Sequence, residues 1–235
     1  MNNSIKVLER TTESLQEILE RAKEFHGHLC PFVALGVKAS IIAMDEIGVQ
    51  RLDVNKSIEE SVIAVVECNN CFVDGVQVTI GCTLGNNSLI YFDLGKNALS
   101  LVKRNSWKGV RVYIDAENLR ERYFSKEAIE LFEKVIVKRQ GDEEDRQRLS
   151  QLWEEIGYKM LKIPKEEFKV ERVKIEQIEQ APIFKSVRCS SCNELVMETR
   201  VVYVSEGPYC LSCAGKSYHA VIGRGIVEIA KGVNK

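Results

Sequence analysis

The stretch PFVALGVKASIIAMDEIG, residues 31–48, decides how this chain can fold. Pro31 suits the first helical position, where a missing N–H is no loss. The body sets Ala34, Gly36, Ala39, Ser40 and Ala43 among larger apolar residues, so it is small-sided and almost wholly apolar. A helix of that kind is buried and lets another element approach its backbone closely. Gly48 is placed to end it.

Working outward, residues 12–25 carry Leu15, Ile18, Leu19, Ala22 and Phe25 at helical spacing, with polar residues between. Downstream, SVIAVVE (61–67) reads as a buried strand and residues 71–80 as a short helix. SLIYFDL (88–94), ALSLVK (98–103) and GVRVYID (109–115) read as three consecutive strands, joined as antiparallel hairpins at GK-N and RNSWKG. Residues 116–139 and 142–161 are charged amphipathic helices split by GDEED, and VERVKIEQIE (170–179) is one more strand. The expectation is an α+β fold, an antiparallel or mixed sheet covered by helices. A core domain over residues 1–181 is followed, from the linker at Pro182, by a small module over 182–235.

The 235 residues are 45% hydrophobic, enough for a substantial core, and 33 Lys+Arg against 34 Asp+Glu leave a net charge of −1. That balance argues against duplex DNA or an anionic membrane as an electrostatic partner of the whole chain. No 18-residue apolar stretch is present, and the first residues lack an apolar signal core, so the expected location is the cytoplasm. In a reducing compartment, eight cysteines are metal ligands or reactive thiols rather than disulfides. They fall into two sets, Cys30, Cys68, Cys71 and Cys82, then Cys189, Cys192, Cys210 and Cys213, which points to two sites.

The second set reads C-x2-C-x17-C-x2-C, a zinc spacing. Two knuckles separated by a hairpin place four thiolates tetrahedrally. Four cysteines leave no open position, so this zinc is structural. AGKSYHA (214–220) is expected to start a helix, which would make the module a treble clef. Lys185, Arg188, Arg200, Lys216 and Arg224 give it a mildly basic cast without a dense basic run or an aromatic platform. Protein contact therefore ranks above nucleic acid as its role.

In the first set, His26, His28 and Cys30 alternate just before the helix at Pro31, and in extended backbone they would share one face. A helix start offers open N–H groups and a positive dipole end, so the Cys30 thiolate is expected to be favoured. ECNNCFVDGVQVTIGCTLGN (67–86) adds Cys68, Cys71, Asp74 one turn on, and Cys82. A mixed His/Cys/Asp set drawn from two helix starts could hold zinc, iron or nickel with a position left open for chemistry. Cys68 and Cys71 alone could instead form a redox pair, and Cys68 or Cys82 alone could be buried hydrophobes.

FHGHLCPFVALG together with ECNNCFVDGVQVTIGCTLGNNSLIYFDLGKNAL resembles the E-subunit family of formylmethanofuran dehydrogenase (FmdE), over roughly residues 15–115. The resemblance implies an α+β core, a homodimer, and in some members a C-terminal treble-clef zinc finger. By motif, His26, His28 and Cys30 match HGHxCP; Cys71, Asp74 and Gly75 match C-x-x-D-G; Cys82, Thr83, Gly85 and Asn86 match GCTxGN; Asp93, Gly95 and Lys96 match D-x-GK. Carried over, His26, His28, Cys30, Cys71, Asp74 and Lys96 are the candidate catalytic residues, and Cys82, Thr83 and Asn86 the candidate cofactor-binding ones. His28, Cys30 and Cys71 are the candidate ligands of a second transition metal. Phe32 stands where members have glycine, and its ring could narrow the pocket.

The family name implies work beside molybdenum or tungsten enzymes of one-carbon metabolism, as an oxidoreductase-associated component acting on a small molecule. No iron–sulfur spacing or pterin pattern accompanies it, so the chain is not expected to run that reaction alone. The competing expectation is a binding module in which the zinc finger contacts a protein, delivering a metal or cofactor or regulating a gene.

Overall fold

A computed structural model describes residues 14–230, which divide into two compact units, one ending at Ile178 and one beginning at Glu179. In the first unit, α1 spans Leu15–His26. Ser14 caps it, its hydroxyl accepting from Glu17 N while its own N donates to the Glu17 carboxylate. This reciprocal pair satisfies two otherwise orphaned donors at the helix start. Gly27 ends α1 at φ +89, a conformation open to glycine. α2 spans Pro31–Ile47, begins at Pro31 and ends at Gly48, as its sequence predicts. A short α3, Val54–Ile58, then leads to β1, Val62–Val66, and α4, Cys71–Ile80.

β2 (Leu89–Tyr91), β3 (Ala98–Lys103), β4 (Lys108–Ile114) and β5 (Phe168–Lys174) complete a five-stranded mixed sheet in the order β2-β1-β3-β4-β5. The fold is α+β, as expected, but β2 and β3 form no hairpin. β2 lies parallel to β1 and on its far side, while β3 runs antiparallel beside it. β1 is buried along its whole length, so it needs a neighbour on each edge. α4 provides the crossover that a parallel β1–β2 pair requires. The chain then passes over the end of β1, with Phe92 N donating to Val66 O and Lys96 N to Glu67 O, before β3 begins.

Side chains alternate across the sheet. Val62, Ala64 and Val66 face the helices, and Ile63 and Val65 face a smaller cluster with Val102 and Trp107. Residues 175–178 strap that second face, Ile175 N donating to Trp107 O and Ile178 O accepting from Arg104. The amphipathic region after β4 is α5 (Ala116–Tyr123), α6 (Lys126–Phe132), a π turn (Glu133–Val137) and α7 (Glu143–Lys162). The break inside the expected first helix falls at Ser125, which caps α6 by accepting from Ala128 N. No helix among the described residues is long and apolar enough to cross a membrane.

The contact that organises this unit is between α2 and α4. A Cβ added at Gly36 would lie 2.0 Å from Phe72 O, and one added at Gly75 would lie 2.2 Å from Val33 O. The two backbones touch at these reciprocal glycines. One turn on, the buried hydroxyls of Ser40 and Thr79 donate to Gly36 O and Gly75 O within their own helices.

The second unit carries two small hairpins, β6–β7 (Ser186–Arg188, Leu195–Met197) and β8–β9 (Val201–Val204, Gly207–Cys210). A third pairs β10 (Tyr218–Ile222) with β11 (Gly225–Ile229). The helix expected from AGKSYHA is not formed. Gly215, at φ +62, turns the chain, and the alternating residues that follow pair with GIVEI as a strand.

The α2–α4 contact predicts that Gly36→Ala lowers stability by about 2–3 kcal/mol, because a methyl group is forced onto a backbone carbonyl rather than a flexible side chain. Urea unfolding followed by circular dichroism measures it, and a loss below about 0.5 kcal/mol contradicts backbone contact.

Candidate functional site

Two helices that touch at Gly36 and Gly75 also start side by side. Cys30 is the extended N-cap residue of α2, and Cys71 is the first residue of α4, whose own cap Asn70 accepts from Phe72 N at 3.0 Å. The thiols of Cys30 and Cys71 hydrogen-bond to each other. His26 closes α1, and the left-handed turn at Gly27 brings the following segment back toward it. As a result His26, His28 and Cys30 each offer a ligand atom within 4.8 Å of the others. Asp74, one turn into α4, holds His26 Nδ1 at 2.7 Å and accepts from Gln77 Nε2 at 3.1 Å. The two imidazoles lie 4.5 Å apart, and His28 stacks on Trp153 of α7 at 5.6 Å and 24°.

The charges in this cluster differ from the sequence expectation. Cys30, at the helix start, is 4% exposed, and its thiol is pushed up because it shares its proton with Cys71 and is buried. The nearby amides of Phe32 and Val33 favour its thiolate but do not prevail. The thiolate belongs instead to Cys71, pulled down to about 6 by the Cys30 hydrogen bond and then by the His26 ring beside it. Burial, and then the neighbouring His26, lower the pKa of His28. A lowered imidazole pKa keeps His28 neutral near pH 7, the form that ligates a metal.

His26 Nε2 is buried, and apart from the Cys71 thiol beside it no described residue offers it a partner. A histidine with one nitrogen on a carboxylate and the other turned toward a thiol is oriented as metal-ligating histidines are. With His28 and Cys30 it makes a mixed nitrogen–sulfur donor set that suits zinc, iron or nickel. The residues present fit a transition metal, and a bound ion would displace the Cys30 proton.

The other candidate residues lie elsewhere. Cys82 follows the C-terminal end of α4, whose ten residues put it about 15 Å from Cys71. Its buried thiol donates to Val62 O, and burial pushes it up to about 12. Thr83 and Asn86 close a turn on themselves: Thr83 N donates to Asn86 Oδ1, Asn86 N to Thr83 Oγ1, and Asn86 Nδ2 to Gly81 O and Ser57. Asn86 is thus the brace of a loop at the far end of α4 from Cys30 and Cys71. The thiol of Cys68 turns to Asn70 Oδ1 and is pushed up to about 11 by burial, so the partner of Cys71 is Cys30 rather than Cys68.

Lys96 is exposed on the loop over the end of β1, beside Asn97, whose side chain accepts from Asn70. It stands at the same end of the sheet as the cluster without touching it. Phe32 is half-buried and packs against the core. Trp153 is the residue that sequence reading missed. Its one signal is a tryptophan in an otherwise ordinary amphipathic helix, with no spacing that ties it to His28.

In the second unit, Cys189, Cys192, Cys210 and Cys213 hold their sulfurs within 4.8 Å of one another. Cys210 N donates to Cys189 Sγ and Cys213 N to Cys210 Sγ, both at 3.3 Å. Amide bonds to sulfur favour the thiolates that a four-cysteine zinc site requires.

The family model described as "FmdE, Molybdenum formylmethanofuran dehydrogenase operon" matches residues 25–170, which contain the whole core cluster. A second, "Prokaryotic dksA/traR C4-type zinc finger", matches residues 182–219 and all four terminal cysteines. Together with the sulfur geometry, this makes the second unit a four-cysteine zinc finger. An Archaeoglobus fulgidus protein named "Probable S-adenosyl-L-methionine-binding protein" is 64% identical over 214 residues, which are 91% of this chain. The chain spans 57% of that protein's length. The crystal structure of a tungsten formylmethanofuran dehydrogenase FmdE-like protein from Syntrophus aciditrophicus superposes with a TM-score of 0.55 at 25% identity, over 87% of this chain and 94% of that one.

Two measurements check the site. In chelator-treated protein, iodoacetamide should modify Cys71 ahead of Cys30, Cys68 and Cys82. Because its pKa is lowered, its rate should rise as pH passes upward through about 6. Peptide mass mapping reads the order, and equal rates at Cys30 or Cys68 contradict it. Cys192→Ser should remove one zinc equivalent and make residues 179–230 protease-sensitive while leaving the core intact, and retained zinc contradicts a four-cysteine site.

Proposed function

The chain belongs to the FmdE family, and from that premise we propose that its core is a metal- and thiol-dependent protein acting on a small molecule. It works in the cytoplasm beside molybdenum or tungsten enzymes of one-carbon metabolism. The observation that carries this reading is the setting of His26, with Nδ1 on Asp74, Nε2 buried beside the Cys71 thiol, and donor atoms of His28 and Cys30 close by.

A metal held by these residues supplies Lewis acidity at an open position. The chain's own groups do the rest. Asp74 orients the His26 ring, Trp153 fixes the plane of His28, and the Cys71 thiolate stands ready as a nucleophile or a further ligand. The name of the Archaeoglobus relative makes S-adenosyl-L-methionine the first ligand to try. Its sulfonium cation would find a thiolate and an aromatic face in this cluster, both attractive to positive charge.

A second reading has the zinc finger as the working surface. It is supported by Leu195, Met197 and Tyr203, apolar side chains that stand 61%, 50% and 69% exposed on its hairpins. On this reading the finger holds a protein partner, and the core delivers a metal or cofactor to it.

Metal content and ligand titration test the first reading. The wild-type protein should carry two metal equivalents per chain, and the His28→Ala, Cys30→Ser double variant one, the finger's zinc. S-adenosyl-L-methionine should bind the double variant at least about tenfold more weakly by calorimetry, the loss of one or two charged contacts. One metal in both proteins, with unaltered ligand affinity, overturns it.

A further inference from the structure

At the opposite end of β1 the sheet holds two unfavourable features together. Lys103 of β3 stands directly opposite Lys108 of β4, and Lys108 directly opposite Lys174 of β5. Leu99 and Leu101, Val110 and Val112, and Phe168 and Val170 mark the helix-covered face, so alternation places all three lysines on that face, level with the end of α2. Like charges directly opposite on neighbouring strands repel. None of the three has a carboxylate oxygen within 4.0 Å among the described residues, and two nearby acids are engaged elsewhere. Glu46 binds Lys165 and Arg172, and Glu60 binds Arg104.

The second feature is the turn that sets this register. Trp107 adopts φ +56, a region that bulky residues rarely enter. Trp107 N donates to Lys103 O, Ile175 N donates to Trp107 O, and Arg104 lies over the ring at 5.2 Å. The hairpin is therefore locked in the one register that aligns the lysines. Local strain that the surroundings hold in place marks functional positions.

A cleft of about 560 Å³ opens here, lined by Lys103, Ser106, Lys108, Arg172, Lys174 and Glu46, the last held by Lys165 and Arg172, among others. Lys103 also lines an adjoining cleft of about 820 Å³, which has Met44, Val49 and Val62 as apolar wall and Lys56, Asp45 and Glu59 as further charged lining. We infer that this end of the sheet binds a phosphorylated small molecule, with two or more phosphoryl groups along the lysine row and the organic body against Met44, Val49 and Val62.

Several observations narrow the ligand to that class. Neighbouring strands lie roughly 4.8 Å apart, so the row spans roughly 10 Å, the length of a di- or triphosphate. Ammonium groups bind phosphate as point charges, and a row of three suits the several charges of a polyphosphate chain. Here both arginines of the two clefts are committed to Glu60 and Glu46. A net charge of −1 and no exposed aromatic face in either cleft argue against a nucleic-acid strand. The site is independent of the cysteine cluster. Lys103 pairs with Val62 at the start of β1, and Cys68 follows its end, about 20 Å away by strand rise.

Calorimetry on the full-length, zinc-loaded chain tests the assignment, with ATP, tripolyphosphate, adenosine and citrate as probes. ATP and tripolyphosphate should bind saturably, and adenosine and citrate at least about tenfold more weakly. A Lys103→Gln, Lys108→Gln double variant should bind both phosphate probes at least about tenfold more weakly. Its thermal midpoint without ligand should equal or exceed that of the wild type, because a repulsion is removed. Lys159→Gln on α7 should change neither quantity. Absent saturable binding of both phosphate probes, equal affinity for citrate and tripolyphosphate, unchanged affinity in the double variant, or a lowered midpoint each overturns the inference.

Discussion

The structure depends on two helices that touch backbone to backbone. At the α2–α4 crossing there is no room for a side chain on either partner, since Gly36 faces the Phe72 carbonyl and Gly75 faces the Val33 carbonyl. Ordinary side chains would hold helix axes 8–10 Å apart. Here the contact lies within two turns of each helix start, so the starts themselves meet. Cys30 and Cys71, one at each start, become hydrogen-bonding neighbours for that reason. Beyond the crossing, α4 carries the chain from β1 to the parallel β2.

Once the two helix starts meet, the chemistry of the cluster follows from burial. Two thiols side by side in a water-poor place hold one proton between them more readily than none. The deeper one, Cys30, keeps it, and Cys71, next to His26, carries the charge. Asp74 engages one nitrogen of His26 and leaves the other in the interior beside the Cys71 thiol. An imidazole nitrogen and thiols side by side in the interior form a donor set that suits a transition metal.

Much of this is written locally in the sequence. The small residues of 31–48 announce a closely approached helix, and Pro31 and Gly48 mark its two ends. The three residues His26, His28 and Cys30 do gather as their closeness in sequence suggests, though through the end of α1 and the left-handed turn at Gly27 rather than an extended alternation, and the C-x2-C pairs announce zinc. What could not be read is what depends on partners far along the chain. β1 takes a neighbour on each edge, so β2 pairs with it rather than with β3. Cys82 belongs to a motif as long as the others, yet α4 carries it to the far end of the layer. Trp153 reaches His28 from α7 with no spacing to signal it. The helix dipole favours a Cys30 thiolate, but the shared proton and burial outweigh it. The helix expected after Cys213 gave way to a strand because GIVEI supplied a partner.

The central claim is that His26, His28 and Cys30, gathered at the meeting of two helix starts, hold a metal. The most direct measurement is an anomalous-scattering map of crystals grown from protein loaded with cobalt or zinc. Two peaks per chain are expected. One should lie among Cys189, Cys192, Cys210 and Cys213, and the other within about 2.0–2.3 Å of His26 Nε2, a His28 nitrogen and Cys30 Sγ. A map with the finger peak alone, and His26 Nε2 hydrogen-bonded to an ordered water, would contradict it.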